Sequence, residues 1–144
     1  MRRLLLIAAS VIVFLAVSFV LARWLTTENR ERDAIYALLV DEARGDAGAM
    51  RARLTGCDGR CAATVAASAR RLRTPGRPKI LRLDSKTAYA LGSASGTTRV
   101  AWTIVDRRLP VVQCVDVERA GSALAGRRLV LHSISAPIGG EDAC

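Results

Sequence analysis

Histidine and aromatic residues are scarce in this sequence of 144 residues, which contains one histidine and only 4% phenylalanine, tyrosine and tryptophan. We recognise no catalytic or cofactor-binding motif, and we therefore assign no catalytic residue, no metal site and no cofactor. After residue 26 the only aromatic side chains are those of Tyr36, Tyr89 and Trp102. Such a chain is expected to form one small domain with a modestly packed core.

Charged residues are also few, at 24% of the chain against 51% apolar residues. This balance excludes a disordered acidic or basic tail as the main body of the protein. The formal net charge is +9, and nearly all of the basic residues are arginines. We attribute this excess of arginine over lysine first to a GC-rich coding sequence.

One uncharged run covers residues 4–22 and has leucine, isoleucine, valine or phenylalanine at 13 positions. As a helix it would be roughly 28 Å long, close to the hydrocarbon thickness of a bilayer. Each of those residues favours insertion at the helix centre by about 0.3–0.6 kcal/mol. The sequence therefore predicts a membrane anchor in residues 1–26, which contacts the lipid bilayer through residues 4–22, and a domain in residues 27–144.

Two other interpretations of this run stay open. Arg2 and Arg3 before an apolar run also begin a secretory signal peptide, and residues 20–22 resemble a small-residue cleavage site. The run is longer than the roughly 7–15 residues of a cleaved signal, and Arg23 and Trp24 supply an interfacial anchor pair, which favours an uncleaved anchor. A buried helix of a cytosolic protein is disfavoured because no face of the run is polar.

All four cysteines lie beyond the apolar run, and an even number of cysteines suits two disulfides in an oxidising compartment. Basic residues flank the run on both sides and do not decide its orientation. The cysteines therefore place the domain on the extracytoplasmic side of the cell membrane, attached by a single span.

The favoured pairing joins Cys57 to Cys61 across a short turn and Cys114 to Cys144 across a longer loop. Chain-entropy arguments give about 2 kcal/mol for the first bond and about 3.7 kcal/mol for the second. Two alternatives stay open. One is a zinc site that uses the four thiolates, or three of them with His132. The other is a redox role, although the cysteine spacing differs from that of thioredoxin-like motifs.

A cluster of six basic side chains without an intervening acid occupies residues 70–82. Its members are Arg70, Arg71, Arg73, Arg77, Lys79 and Arg82. The cluster is interpreted as a solvated surface or as a contact with an anionic membrane or an anionic envelope polymer. Because no aromatic residue interleaves it for base stacking, we expect no nucleic-acid partner.

Hydrophobic periodicity predicts three helices followed by five strands. Thr26-Thr27 would cap the first helix, Gly45 would end it and Asp46 would cap the second. The spacing of Ile35, Leu38 and Leu39 predicts the buried stripe of the first helix. The predicted helices cover residues 28–44, 47–54 and 62–73, and the predicted strands cover residues 80–83, 88–91, 100–105, 111–117 and 129–135. The predicted fold class is α+β, with helices packed on a curved antiparallel sheet.

The order of these elements, with the helix junction of residues 43–47 and a curved meander that ends the chain, resembles the cystatin-like or NTF2-like fold. Membrane-anchored domains of this type are common in actinobacteria, for example among the accessory proteins associated with Mce lipid-transport systems. The resemblance covers residues 28–136. Enzymatic relatives place acidic or histidine bases in a cone between sheet and helices, and here no such residue can be assigned.

The expected function is that of a membrane-anchored, non-enzymatic interaction or accessory module of the bacterial cell envelope, with an envelope protein as its expected partner. The alternative is a small-molecule binder or enzyme that uses the cone, with Tyr89, Trp102 and His132 as candidate residues of the pocket wall. His132 as a general base would need a nearby carboxylate to orient it.

Overall fold

A computed structural model shows how the chain folds. It describes residues 2–87, 93–104, 109–122, 126–140 and 142–144, and within these it leaves out the side chains of residues 2, 4, 5, 23–28, 122, 126 and 127. Three helices precede four strands, which confirms the α+β class. The helices are α1 (Arg2–Arg44), α2 (Ala47–Arg53) and α3 (Arg60–Leu72), and the strands are β1 (Lys79–Ser85), β2 (Ala94–Thr103), β3 (Val111–Ser122) and β4 (Gly126–Ile134).

The first helix is one continuous element of 43 residues. The predicted helix start at Thr26-Thr27 is therefore wrong, because the apolar run and the first helix of the domain form a single helix. No glycine or proline interrupts the chain between residues 2 and 44, so no helix breaker separates the two parts. Within the described residues, no helix has both the length and the apolar character that crossing a membrane requires.

The junction between α1 and α2 follows the prediction closely. Gly45 has φ 78°, a left-handed conformation that favours glycine at the end of a helix. Asp46 then caps α2, because its side chain accepts a hydrogen bond of 2.9 Å from the amide of Ala49. The chain therefore reverses direction immediately after α1 and brings α2 and α3 back against it.

The described sheet has four antiparallel strands in the order β1-β2-β3-β4. The predicted hairpin between β2 and β3 is confirmed, with Trp102 paired to Val111 and Val100 to Gln113. We expected residues 92–96, between the predicted strands 88–91 and 100–105, to form a loop, and this is wrong for Ala94–Gly96, which pair with β3. The predicted strand over residues 88–91 lies outside the described residues.

One face of the sheet packs against the helices and forms the core. The predicted stripe Ile35, Leu38 and Leu39 of α1 is fully buried, which confirms its assignment. From α3, Val65, Ala69 and Leu72 complete the helical side. The sheet contributes Ile80, Val100, Trp102, Ile104, Val111, Val115, Val117, Leu131 and Ile134.

Both predicted disulfides are confirmed. Cys57 pairs with Cys61 at the start of α3, and Cys114 pairs with Cys144. The second bond ties the end of the chain to β3, and the amide of Ile138 donates to the carbonyl of Val112 in an antiparallel bridge beside the same strand. The C-terminal residues are thus part of the folded domain.

Candidate functional site

The apolar part of α1, residues 4–22, exposes its large apolar side chains where the structure describes them. Every large hydrophobic residue described between Leu6 and Leu21 is at least half exposed, with Val11 at 50% and Phe14 at 70%. Single exposed apolar residues are common on proteins, whereas contiguous exposed apolar surfaces are typical of sites that contact a membrane or another protein.

Two of the candidate pocket residues, Trp102 and His132, do not lie together. Trp102 is fully buried in the core, and its indole N–H donates a 2.7 Å hydrogen bond to Oε1 of Gln113. The side chain of His132 is 40% exposed and contacts Glu118. Because its neighbours Val117 and Arg119 are buried on the side of the helices, Glu118 lies on the outer face of the sheet. Tyr89 lies outside the described residues.

His132 is held at both ring nitrogens. Its Nε2 lies 2.8 Å from Oε2 of Glu118, and its Nδ1 lies 3.2 Å from the carbonyl oxygen of Thr55. The hydrogen bond with Glu118 raises the pKa of His132 above its ordinary value of 6.5, and the carbonyl of Thr55 raises it further, while partial desolvation opposes both effects. A carboxylate does orient this histidine, but the pair faces outward rather than into a cone.

A buried ionic cluster joins α1 to the sheet. Glu31 of α1 forms an ion pair with Arg119 of β3, and both side chains are almost completely enclosed. The same carboxylate accepts a hydrogen bond of 3.2 Å from Ser85 and one of 2.5 Å from Thr98. Nε of Arg119 is buried and has no hydrogen-bond partner among the described residues.

A second buried polar cluster lies near the end of α1. Nε2 of Gln113 donates to Oε1 of Glu42 at 2.8 Å and to the carbonyl of Ser135 at 3.1 Å. Together with the bond from Trp102, this arrangement uses both ends of the Gln113 amide. Glu31 and Glu42 were not predicted to be buried. Glu31 lies four residues before Ile35 and Glu42 four residues after Leu38. This shared helix face is the feature of the sequence that could have predicted their burial.

The described part of the chain contains an open depression of about 340 Å³ between α1, α2 and β4. Arg53 and Arg128 contribute to its walls, and Ala34 forms part of its floor. Arg53 is already engaged, because its Nε lies 2.5 Å from a carboxylate oxygen of Asp41. Among the described residues, no group of three or more histidine, cysteine, aspartate or glutamate side chains could hold a metal ion.

The predicted basic cluster is exposed at all six positions. Only Arg82 among its members has a carboxylate within 4 Å in the described structure, namely that of Asp84. These cations therefore have the solvent access that binding an anionic partner requires.

Comparison with known proteins adds no relative. No protein-family model matches the chain, no curated protein is similar to it, and no solved structure matches it.

Proposed function

We propose that this protein is attached to the cell membrane by the apolar part of α1 and acts as a non-enzymatic interaction or accessory module on the extracytoplasmic side of the bacterial cell envelope. In this proposal residues 4–22 lie in the bilayer, and an envelope protein is the expected partner of the domain.

The single observation that carries the proposal is the division of α1 into two surfaces. Its first part exposes apolar side chains, whereas its second part buries Ile35, Leu38 and Leu39 in the core. Thirteen strongly apolar residues in the first part favour insertion by about 4–8 kcal/mol in total. Because the helix is continuous, an inserted first part would rigidly position the domain beside the lipid surface.

The two disulfides support an extracytoplasmic location. All four cysteines are paired, and such structural disulfides form and persist in oxidising compartments. The longer bond also ties Cys144 to β3, a link that a reducing compartment would break.

The packed interior supports a non-enzymatic role. Trp102 and Leu38 are fully buried between sheet and helices, and the carboxylates of Glu31 and Glu42 are engaged by neighbouring side chains. A cone-shaped active site would need open space at these positions.

The fold supports the cystatin-like or NTF2-like resemblance as part of this proposal. Helices that precede a sequentially ordered antiparallel sheet, with the sheet packed on the helices, are the arrangement that the resemblance implies.

Alkaline carbonate extraction of membranes tests the attachment. The wild-type chain should remain in the membrane pellet. V11K/L15K should be extracted, because each lysine near the helix centre costs about 2.5–3.5 kcal/mol and the pair offsets most of the insertion energy.

The matched control is A63K/A67K, which places two lysines with the same spacing on exposed positions of α3. This control should remain in the pellet. Extraction of the wild-type chain, or equal extraction of both variants, would refute the proposed attachment.

A further inference from the structure

Five exposed cations are concentrated at one end of the domain. Arg70 and Arg71 lie in the last turn of α3, Arg73 caps its C-terminus, Arg77 follows in the connection, and Lys79 begins β1. In the described part of the protein none of the five has a carboxylate within 4 Å. Attraction to the C-terminal helix dipole accounts for Arg70 and Arg71 alone. We refer to these five residues as the distal surface.

The distal surface lies at the end of the domain away from the apolar part of α1. The amide of Thr74 donates a 2.9 Å hydrogen bond to the carbonyl of Ala43, and the aliphatic part of Arg73 packs beside Gly45. These contacts are with the last residues of α1. At the opposite end of β1, Ser85 contacts Glu31, which lies nearer to the apolar part.

The separation from the lipid is large compared with the range of electrostatic attraction. Ala43 is about 32 Å along the helix axis from Ala22, the last residue of the apolar run. Attraction between exposed charges is largely screened beyond about 8 Å at physiological ionic strength. This step rests on the proposed attachment. It means that the bilayer holding α1 cannot neutralise the distal surface.

The composition of the distal surface favours a polymer over a folded protein. Protein interfaces are centred on aromatic and apolar anchors, and arginine is effective there when it accompanies such anchors. The distal surface contains four arginines and one lysine and no aromatic residue. Arginine binds phosphate and carboxylate groups through paired N–H donors, which suits repeated anionic groups along a chain.

We propose that the distal surface binds a linear polyanionic polymer of the cell envelope, whose phosphate or carboxylate groups contact Arg70, Arg71, Arg73, Arg77 and Lys79. The domain then connects the membrane that holds α1 to a polymer layer about 30 Å away.

The test measures binding of linear polyphosphate to the full chain in nanodiscs of uncharged phosphatidylcholine, at several salt concentrations. The distal variant R70Q/R71Q/R77Q/K79Q removes four charges and spares Arg73, which packs against the helix junction. The control R30Q/R32Q/R51Q/R128Q also removes four charges, all from exposed side chains elsewhere. Vesicles containing anionic phosphatidylglycerol, added to the same nanodiscs, serve as the second probe.

We expect the distal variant to bind polyphosphate at least tenfold more weakly at low salt, and its salt slope to fall by about 3. The control should change binding less than threefold. Equal losses in both variants, absence of polyphosphate binding, or binding of the vesicles alone would overturn the proposal. Carbonate extraction is measured separately, so a failure of the attachment is distinguishable from a failure of the distal surface.

Discussion

The two parts of α1, the apolar residues 4–22 and the residues that follow them up to Arg44, reverse the usual relation between polarity and burial. The first part is apolar and exposed, with Phe14 at 70%. The second part buries three carboxylates, those of Glu31, Asp41 and Glu42. The second part is matched to polar groups that the sheet and α2 provide, and under the proposed attachment the first part is matched to lipid.

Burial of those carboxylates requires partners. Desolvation of a charge costs several kcal/mol unless hydrogen bonds and an opposite charge offset it. Glu31 forms an ion pair with Arg119, and Asp41 forms one with Arg53. Glu42 accepts a hydrogen bond from Gln113. The second part of α1 is therefore held in one position by specific polar contacts as well as by apolar packing.

Breaking the Glu31 ion pair should have the largest effect on stability. Glu31→Ala leaves the buried guanidinium of Arg119 without its counter-ion and should lower the free energy of unfolding by about 3–5 kcal/mol. Urea unfolding of the full chain in a nonionic detergent measures this change.

Asp33→Ala is the control for that experiment, because Asp33 is an exposed acid on the same helix. It should change stability by less than about 0.5 kcal/mol. The double variant E31L/R119M should be less destabilised than Glu31→Ala, since it removes both buried charges. Equal stability of Glu31→Ala and Asp33→Ala would contradict the stabilising role of the buried ion pair between Glu31 and Arg119.

Leucine truncation compares the two parts of α1 directly. Leu38→Ala removes a fully buried side chain and should cost about 2–5 kcal/mol. Leu15→Ala truncates a side chain that is 60% exposed and should leave domain stability nearly unchanged. The same detergent unfolding assay measures both variants. A cost above about 1 kcal/mol for Leu15→Ala would show that the first part also packs against the domain.

Removing the Gln113 amide should have an intermediate effect. Gln113→Ala leaves the indole N–H of Trp102 and the carboxylate of Glu42 without the bonds that Gln113 supplies, at a cost of about 1–3 kcal/mol. Trp102→Phe in the Gln113→Ala background then removes an unsatisfied donor. The double variant should therefore cost less than the sum of the two single changes. If the two changes in the free energy of unfolding were strictly additive, the energetic coupling between Trp102 and Gln113 would be contradicted.

Protonation of His132 should have the smallest effect. Its pKa is raised in the folded state, mainly by Glu118, so the protonated ring stabilises the fold. This contribution is fully present below pH 6.5 and is lost as the pH rises through the folded-state pKa. Because the side chain is 40% exposed, we expect about 0.5 kcal/mol or less. His132→Gln should lose this stability at about pH 5.5, and its difference from the wild-type chain should shrink as the pH rises through the folded-state pKa of His132.

Local sequence signals predicted much of this fold. The spacing of Ile35 and Leu38 gave the buried stripe, Asp46 marked a helix start, and the cysteine spacing gave both disulfides. These features depend on neighbouring residues, on helix periodicity or on a count of four cysteines, all of which are visible in one sequence.

Features that depend on distant residues were not predictable in this way. Glu31 lies in the first turn of the helix predicted over residues 28–44, where an exposed acid favours the helix dipole. Only the fold brings Arg119, 88 positions away, against it. Ala94–Gly96 resembled a loop because small residues have low strand propensity, yet pairing with β3 makes them a strand. The basic cluster was visible in the sequence, but its distance from the apolar part of α1 follows only from the contact of Thr74 with Ala43.

Accessibility of single cysteines in intact spheroplasts tests the central claim most directly. A membrane-impermeant maleimide should label Ala67→Cys, on the exposed face of α3, without lysis. It should fail to label Ser10→Cys, in the apolar part of α1, because lipid would cover that position. Labelling of Ala67→Cys only after lysis would contradict the extracytoplasmic location, and ready labelling of Ser10→Cys in intact spheroplasts would contradict insertion of the apolar part in the bilayer.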